Sequence, residues 1–386
     1  MPMDERVKQR KAEHVQAALT GDLSAPQAAG WRDIHLVHQA LPEVDLDAID
    51  TSVQFLGHRL SHPILISSMT GGHPDVTAIN RNLARAAERY GLALGVGSQR
   101  AGIVNPEVAY SYAVVREAAP GAFLIANVGA PQLIGQARAE PFTLGQVRTA
   151  IEMIEANALA VHLNSLQEAV QPEGDRRTVG EVHALTRLVG QLDLPVIAKE
   201  TGAGICREQA LLLKSCGVAA IDVGGAGGSS MSAMEAVRSA ERGDGRAQAL
   251  GALYRDWGIA TPICVIEAGA AGLPLIATGG VRSGLDIARA LALGASLVGL
   301  AYPFLKAASE GFEAVCELVE GLIFELQVAM QLSGAASIAQ LSQADVVVSG
   351  ETYHWLKVRG FETTLYELAQ RHGKRSRWLD QWAQAE

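Results

Sequence analysis

The run HLNSLQE (162–168) places a histidine, two amides and a carboxylate directly behind the apolar stretch ALAV (158–161). A histidine can move a proton or hold an anion, and a carboxylate can act as base or bind a hard cation. Side chains alternate along a strand. His162 and Asn164 therefore share a face with Ala160, while Val161 and Leu163 share the other. The apolar face suits surrounding helices, which aims His162 and Asn164 at an enclosed mouth. Gln167 and Glu168 follow at once, and QPEGDR adds Glu173, Asp175 and Arg176. Such residues can be mere polar caps on a strand end, but their density points to function. The same parity sets Asn127 with Ile125 and Phe123, Ser98 with Val96, and Lys199 with Ile197 and Thr201. A lysine held there needs a negative partner. Glu200 lies on the opposite face, which leaves either an electron-rich or anionic ligand or a carboxylate from another strand.

Two glycine-rich stretches, VGGAGGSS (223–230) and ATGGVR (277–282), have the composition of phosphate cradles. Glycines let backbone N–H groups approach an anion, and Ser229 or Ser230 adds hydroxyl donors. Near the N-terminus, RKAEH places Arg10, Lys11 and His14 on one face if that stretch is helical. Taken alone this reads as a solvated, partly frayed helix; in a phosphate-binding protein it is a compact cationic patch suited to a second phosphate group.

The elements that position these residues repeat one theme from about residue 64. The apolar runs are ILISSMT (64–70), LALGVGS (92–98), FLIANVG (123–129) and ALAVHLN (158–164), then PVIAKET (195–201), AAIDVGG (219–225), PLIATGG (274–280) and SLVGLAY (296–302). Helical patterns such as VTAINRNLARAAERYG and GLDIARALALG separate them and end on glycine. Eight strands alternating with helices, with polar or glycine-rich ends, predict a (β/α)8 TIM barrel whose active site lies at the C-terminal strand ends. A doubly wound sheet would place its phosphate-binding glycines after the first strand, not the sixth and seventh. The interval between the sixth and seventh runs is long enough for an insertion carrying its own helix. Residues 1–63 read as an N-terminal extension, 64–340 as the barrel and 341–386 as a polar tail. The tail's tryptophans are expected to pack on the barrel or on a neighbouring subunit.

Composition narrows the partners. With 386 residues, 48% hydrophobic and 19% charged, the chain can bury a large core. A net charge of −9 argues against nucleic acid or an anionic membrane surface as the main partner. Cys206, Cys216, Cys264 and Cys316 lack metal-ligand spacing and read as reduced thiols. No secretory pattern or membrane-length apolar run is present, so the expected location is the cytoplasm.

RKAEH, SSMTGG (67–72), GSQRA (97–101), ANVGA (126–130), HLNSLQE, QPEGDR, AKETGAG, DVGGAGGSS and ATGGVR occur in that order. Together they resemble the type 2, flavin-dependent isopentenyl diphosphate isomerases, from about residue 10 to about 330. The resemblance implies an FMN-binding barrel active with reduced FMN, Mg2+, NADPH as reductant, and a homo-oligomer (tetramer or octamer). It implies interconversion of isopentenyl and dimethylallyl diphosphates. Carried over by motif, Ser68, Met69 and Thr70 lie against the flavin, with Ser98 and Asn127 nearby and Lys199 facing its ring system. Ser229, Gly279, Gly280, Arg282, Ala301 and Tyr302 frame its ribityl and phosphate end. Arg10, Lys11, His14, Ser98, Gln99, Arg100 and His162 hold the substrate, Gln167 reaches the reacting alkene, and Glu168 reaches Mg2+. His162 and Asn164 complete the catalytic group.

The chemistry fits the side chains present. Shifting an unactivated double bond means protonating one carbon and deprotonating another, through a cation that water would trap. Gln167 is a poor acid, and Glu168 is a compromised base if it binds metal. That shortage leaves the proton to reduced FMN, as the resemblance implies, donated from the N5 region with Gln167 as relay. An FMN-barrel oxidoreductase is the rival enzyme. One acting on 2-hydroxy acids wants a late histidine, yet no histidine lies between His183 and His354. A nucleotide-reductase type wants a cysteine after strand six, and DVGGAGGSSMS has none. A non-catalytic flavin or phosphate sensor would not need the cluster at 162–168.

Overall fold

Strand alternation sorts the eight apolar runs into a barrel interior and a barrel exterior. In the computed structural model, which describes residues 29–137 and 139–371, they form parallel strands. These are β1 (Ile64–Ile66), β2 (Ala93–Gly95), β3 (Phe123–Gly129), β4 (Ala158–Leu163), β5 (Val196–Glu200), β6 (Ala220–Asp222), β7 (Leu275–Thr278) and β8 (Leu297–Leu300). They pair in sequence order and close, β8 onto β1, as a (β/α)8 barrel. One apolar set faces inward: Leu65, Ala93, Phe123, Ile125, Ala158, Ala160, Ile197, Ala220, Ile276 and Leu297. Their neighbours, such as Leu124, Leu159, Val161, Ala198 and Ile221, join the separate core beneath the helices.

The bottom of the barrel is closed by a hairpin, Val53–Phe55 paired with His58–Leu60. Phe55 and Leu60 from this hairpin join the interior cluster. Phe55 meets Phe123 edge to face at 5.9 Å between centroids, and His58 meets Phe123 at 4.9 Å. With the bottom filled, the barrel interior opens at its C-terminal mouth.

Helices start and stop where local chemistry dictates. Thr77–Tyr90 ends on Gly91 at φ 59°, and Gly284–Ala292 begins on a Ser283 hydroxyl that accepts from the Asp286 amide. The expected insertion after β6 contains two helices, Met231–Glu241 and Gly245–Leu253, packed on each other before the crossover helix Thr261–Gly269.

Residues 341–371 are built into the fold rather than left as a tail. Val346–Val348 pairs antiparallel with Ile34–Leu36, which draws the N-terminal segment onto the same edge. The helix Gly350–Val358 then docks through Glu267, a carboxylate of zero side-chain exposure. Glu267 accepts from Trp355 Nε1, from Arg359 Nε and from Arg359 Nη2, each at 3.0 Å. Burial alone would raise its carboxyl, but the Arg359 bond and the other donors hold it below the ordinary range. Glu267→Ala leaves those donors facing a buried gap. It is expected to lower unfolding free energy by ~2–3 kcal/mol in urea titrations, with flavin affinity unchanged.

Candidate active site

Register brings the inward polar residues into one row. Gly129 of β3 pairs with His162 of β4, His162 with Lys199 of β5, and Lys199 with Asp222 of β6. This row crowns the apolar layers and forms the floor of a cleft at the barrel mouth. The cleft is lined by Ser68, Met69, Ser98, Arg100, Asn127, His162, Asn164, Gln167, Glu168 and Lys199 on one side. Ser229, Gly279, Gly280, Arg282, Ala301 and Tyr302 line the other.

His162 is oriented from behind. Its Nδ1 lies 2.8 Å from Asn127 Oδ1, and the Asn127 amide nitrogen donates to the Val96 carbonyl at 3.0 Å. That second bond makes Oδ1 the acceptor, so His162 Nδ1 carries a proton and donates it to Asn127. A side chain at residue 129 would stand 2.6 Å from Nε2, so Gly129 is what admits the ring.

Lys199 finds its negative partner on the next strand. Its Nζ lies 2.9 Å from Asp222 Oδ2, with side-chain exposures of 10% and 1%. Asp222 follows Ala220 by two residues, so the parity rule that places Lys199 inward also places Asp222. Glu200 turns the other way, as alternation predicts, and its Oε2 accepts from the amides of Gly202, Ala203 and Gly204 at 2.6, 2.5 and 3.1 Å. Burial pushes its carboxyl up to about 7 against the pull of those amides, which favour the anion.

The 162–176 stretch folds back on itself around Glu168. Glu168 is buried; Oε1 accepts from Asn164 Nδ2 at 2.9 Å and Oε2 from the Asp175 amide at 2.7 Å. Gly174 permits this return, since a Cβ there would lie 2.0 Å from the Glu168 carbonyl. Asp175 also grips Arg100 at 2.6 Å. Gln167 points elsewhere, its Nε2 donating to Glu235 Oε1 at 3.0 Å. Glu235 and Arg238, both on the insertion helix Met231–Glu241, form a buried ion pair. Arg238 reaches on to Glu173 at 2.7 Å. Thus QPEGDR is a clamp: Glu173 holds the insertion helix and Asp175 holds Arg100.

Burial alone would raise the Glu173 carboxyl, but the hydrogen bond and charge of Arg238 outweigh it and hold it at about 2, down from 4.5. A depressed carboxylate contributes stability above its unfolded value and loses it as pH falls through the folded one. Solvent reaches a third of the side chain, which reduces that contribution to about 1–2 kcal/mol. Glu173→Gln is expected to flatten the loss of unfolding free energy between pH 4.5 and 2. An unchanged slope in urea titrations across that window would contradict it.

Some expected residues stand outside the cleft. Gln99 is fully buried; its side chain receives the Asn127 amide at 2.9 Å and donates to the Ala150 carbonyl at 2.8 Å. It braces the strand that carries Asn127. Thr70 is buried with its hydroxyl on Asn80 Oδ1 at 2.5 Å. Arg10, Lys11 and His14 lie outside the described residues. Asp222, Glu235, Glu173 and Asp175 join the site without having been assigned there. For Asp222 the inward parity was available; the insertion helix offered no such signal for Glu235.

The cleft suits a flat, polar, phosphorylated ring system. Ser67 Oγ and Thr278 Oγ1 are buried and lack a hydrogen-bond partner among the described residues. Both converge on Gly299, where a Cβ would come within 2.5 and 2.1 Å of them. Hydroxyls, amides and the Lys199 ammonium supply donors at one end, and the Gly279–Gly280 backbone and Arg282 at the other. For a hard cation, Glu168 and Asn164 Oδ1, which has no hydrogen-bond partner among the described residues, are oxygen donors at the same wall.

Comparison with known proteins agrees with this geometry. Residues 131–348 match the FMN-dependent dehydrogenase family. In backbone the chain is similar to a putative lactate oxidase from Pediococcus acidilactici, with TM-score 0.64 and 17% identity over 90% of this chain and 93% of that one. A mandelate oxidase gives TM-score 0.59 and 20% identity over 90% and 100%. At those identities the likeness speaks for the fold. Sequence relatives are nearer: the isopentenyl-diphosphate delta-isomerase of Methanothermobacter thermautotrophicus is 46% identical over 93% of this chain and 99% of that one. That of Halobacterium salinarum is 49% identical over 92% and 97%. With an FMN-family barrel and relatives of that name over more than nine-tenths of its length, the chain belongs to the type 2, FMN-dependent isopentenyl-diphosphate delta-isomerases.

Proposed function

We infer that this enzyme interconverts isopentenyl and dimethylallyl diphosphates, using FMN in its reduced form together with Mg2+. The observation that carries the reading is the scarcity of free acids in the cleft. Lys199 is paired with Asp222, Gln167 with Glu235, both oxygens of Glu168 accept hydrogen bonds, and the carboxyl of Glu200 is held by the Gly202, Ala203 and Gly204 amides. Reduced FMN, when bound, supplies the electron-rich surface and the exchangeable proton the reaction needs.

The protein's own residues bind, orient and exclude water. Ser68, Met69, Ser98, Asn127 and Lys199 hold the ring system of the flavin; Ser229, Gly279, Gly280, Arg282, Ala301 and Tyr302 hold its ribityl and phosphate end. Arg100, fixed by Asp175, and His162, fixed by Asn127, take the substrate diphosphate with Arg10, Lys11 and His14. Glu168 would hold Mg2+, which would supply positive charge to neutralise the substrate diphosphate. Gln167, held by Glu235, would face the alkene end and serve as a relay for the proton rather than as its source. The apolar layer beneath the cleft denies water to the cationic carbon. NADPH as reductant, a tetramer or octamer, and action in the cytoplasm are part of the same reading.

Purified protein is expected to be yellow and to convert isopentenyl diphosphate only with the flavin reduced and Mg2+ present. It should leave lactate and mandelate untouched. Turnover of a 2-hydroxy acid, or isomerisation undiminished by EDTA, would overturn the assignment.

A further inference from the structure

The first described residues, from Ala29, lie against the glycine loops of the cleft. Ala29 packs so closely that a Cβ on Gly227 would stand 2.1 Å from its Cα, and one on Gly280 would stand 2.2 Å from its Cβ. Two residues on, Trp31 is 4% exposed and its indole Nε1 donates to the Gly279 carbonyl at 3.0 Å, across 248 residues of sequence. Gly279 and Gly280 have φ of 133° and 66°. Junctions between two such glycines can turn their peptide plane over with little steric resistance. The peptide unit is planar and trans, so the Gly279 carbonyl and the Gly280 N–H point opposite ways. Whatever fixes the carbonyl therefore fixes the N–H. Gly228 leaves room for it, since a Cβ there would lie 2.7 Å from the Gly280 nitrogen.

The tryptophan is itself anchored from the far end of the chain. Asp33 accepts from the Thr352 amide at 3.0 Å, and its carbonyl from the Ser349 amide at 2.8 Å. Ile34–Leu36 then runs as a strand against Val346–Val348. Residues 33–36 and 346–352 thus join the barrel in holding this loop.

We propose that Trp31 is a positioning residue for the cofactor phosphate, holding the Gly279–Gly280 peptide so that the Gly280 N–H faces the anion. This rests on reading the glycine loops as the phosphate end of the FMN site. Trp31→Phe keeps the aromatic packing and removes the donor. Titration of apoprotein with FMN and with riboflavin, followed by flavin fluorescence, tests it. Wild type should bind FMN much more tightly than riboflavin; equal affinities would remove the phosphate reading and the proposal with it. Given that preference, Trp31→Phe should weaken FMN about tenfold and leave riboflavin within about twofold. Asp33→Ala loosens the anchor but leaves the indole, and should weaken FMN by about threefold, again sparing riboflavin. Equal loss for both flavins would make Trp31 a general packing residue and overturn the proposal, as would no loss at all. Thermal melts of the apoproteins verify that each variant is folded.

Discussion

Glu168→Gln is expected to lower kcat/KM for isopentenyl diphosphate by on the order of 10²–10³-fold, because the site would lose the only charged side chain proposed to hold Mg2+. The fold should survive. Glu168 accepts from Asn164 Nδ2 and from the Asp175 amide. An amide in its place can keep its oxygen on the Asp175 amide and turn its NH2 toward Asn164. The Asn164 amide can flip to meet it with Oδ1, which has no partner among the described residues. Unfolding free energy should therefore change by less than about 1 kcal/mol. The loss should appear as a weakened dependence on Mg2+, with the FMN absorbance of the purified variant unchanged. Near-normal turnover at saturating Mg2+ would remove Glu168 from the metal role.

Lys199→Met has the largest expected effect on stability. It strands the Asp222 carboxylate, 1% exposed in the mouth of the barrel, without its counter-charge. Breaking such a buried pair from one side costs about 3–5 kcal/mol. The double variant Lys199→Met with Asp222→Leu replaces the pair by apolar volume and should recover most of that stability. Activity should not return with it, because the ammonium is also assigned to the flavin. A double variant that regained stability and full FMN affinity would restrict the pair to a structural role. Urea titrations and flavin titrations on the three proteins separate these outcomes.

Much of the barrel was legible because its physics is periodic. FLIANVG is strand over its whole length, and ALAVHLN is strand up to Leu163. Elsewhere the apolar runs overshoot: AAIDVGG is strand only over Ala220–Asp222, since its glycines leave the sheet to shape the cleft. Alternation also placed His162, Asn127 and Lys199 correctly, because a one-residue shift would turn each onto the helices. What alternation cannot supply is partnership between distant elements. Glu235 and Arg238 come from the insertion helix, and their link to Gln167 and Glu173 depends on how that helix docks. Trp355 and Arg359 looked like members of a polar tail. They are tied to Glu267 because a strand pairs the two ends of the chain. Gln99, adjacent to two cleft residues, turned out to brace the wall from behind.

The run HLNSLQE carries too few free acids to isomerise an alkene by side chains alone, and one measurement addresses that point directly. Isopentenyl diphosphate is incubated in D2O with the enzyme, Mg2+ and anaerobically reduced FMN, and the product is followed by NMR. Dimethylallyl diphosphate with deuterium in the newly formed methyl group, and a flavin spectrum unchanged from start to finish, is the expected result. Equal conversion with the flavin kept oxidised, or a product free of deuterium, would contradict isomerisation by proton addition and elimination beside the reduced cofactor.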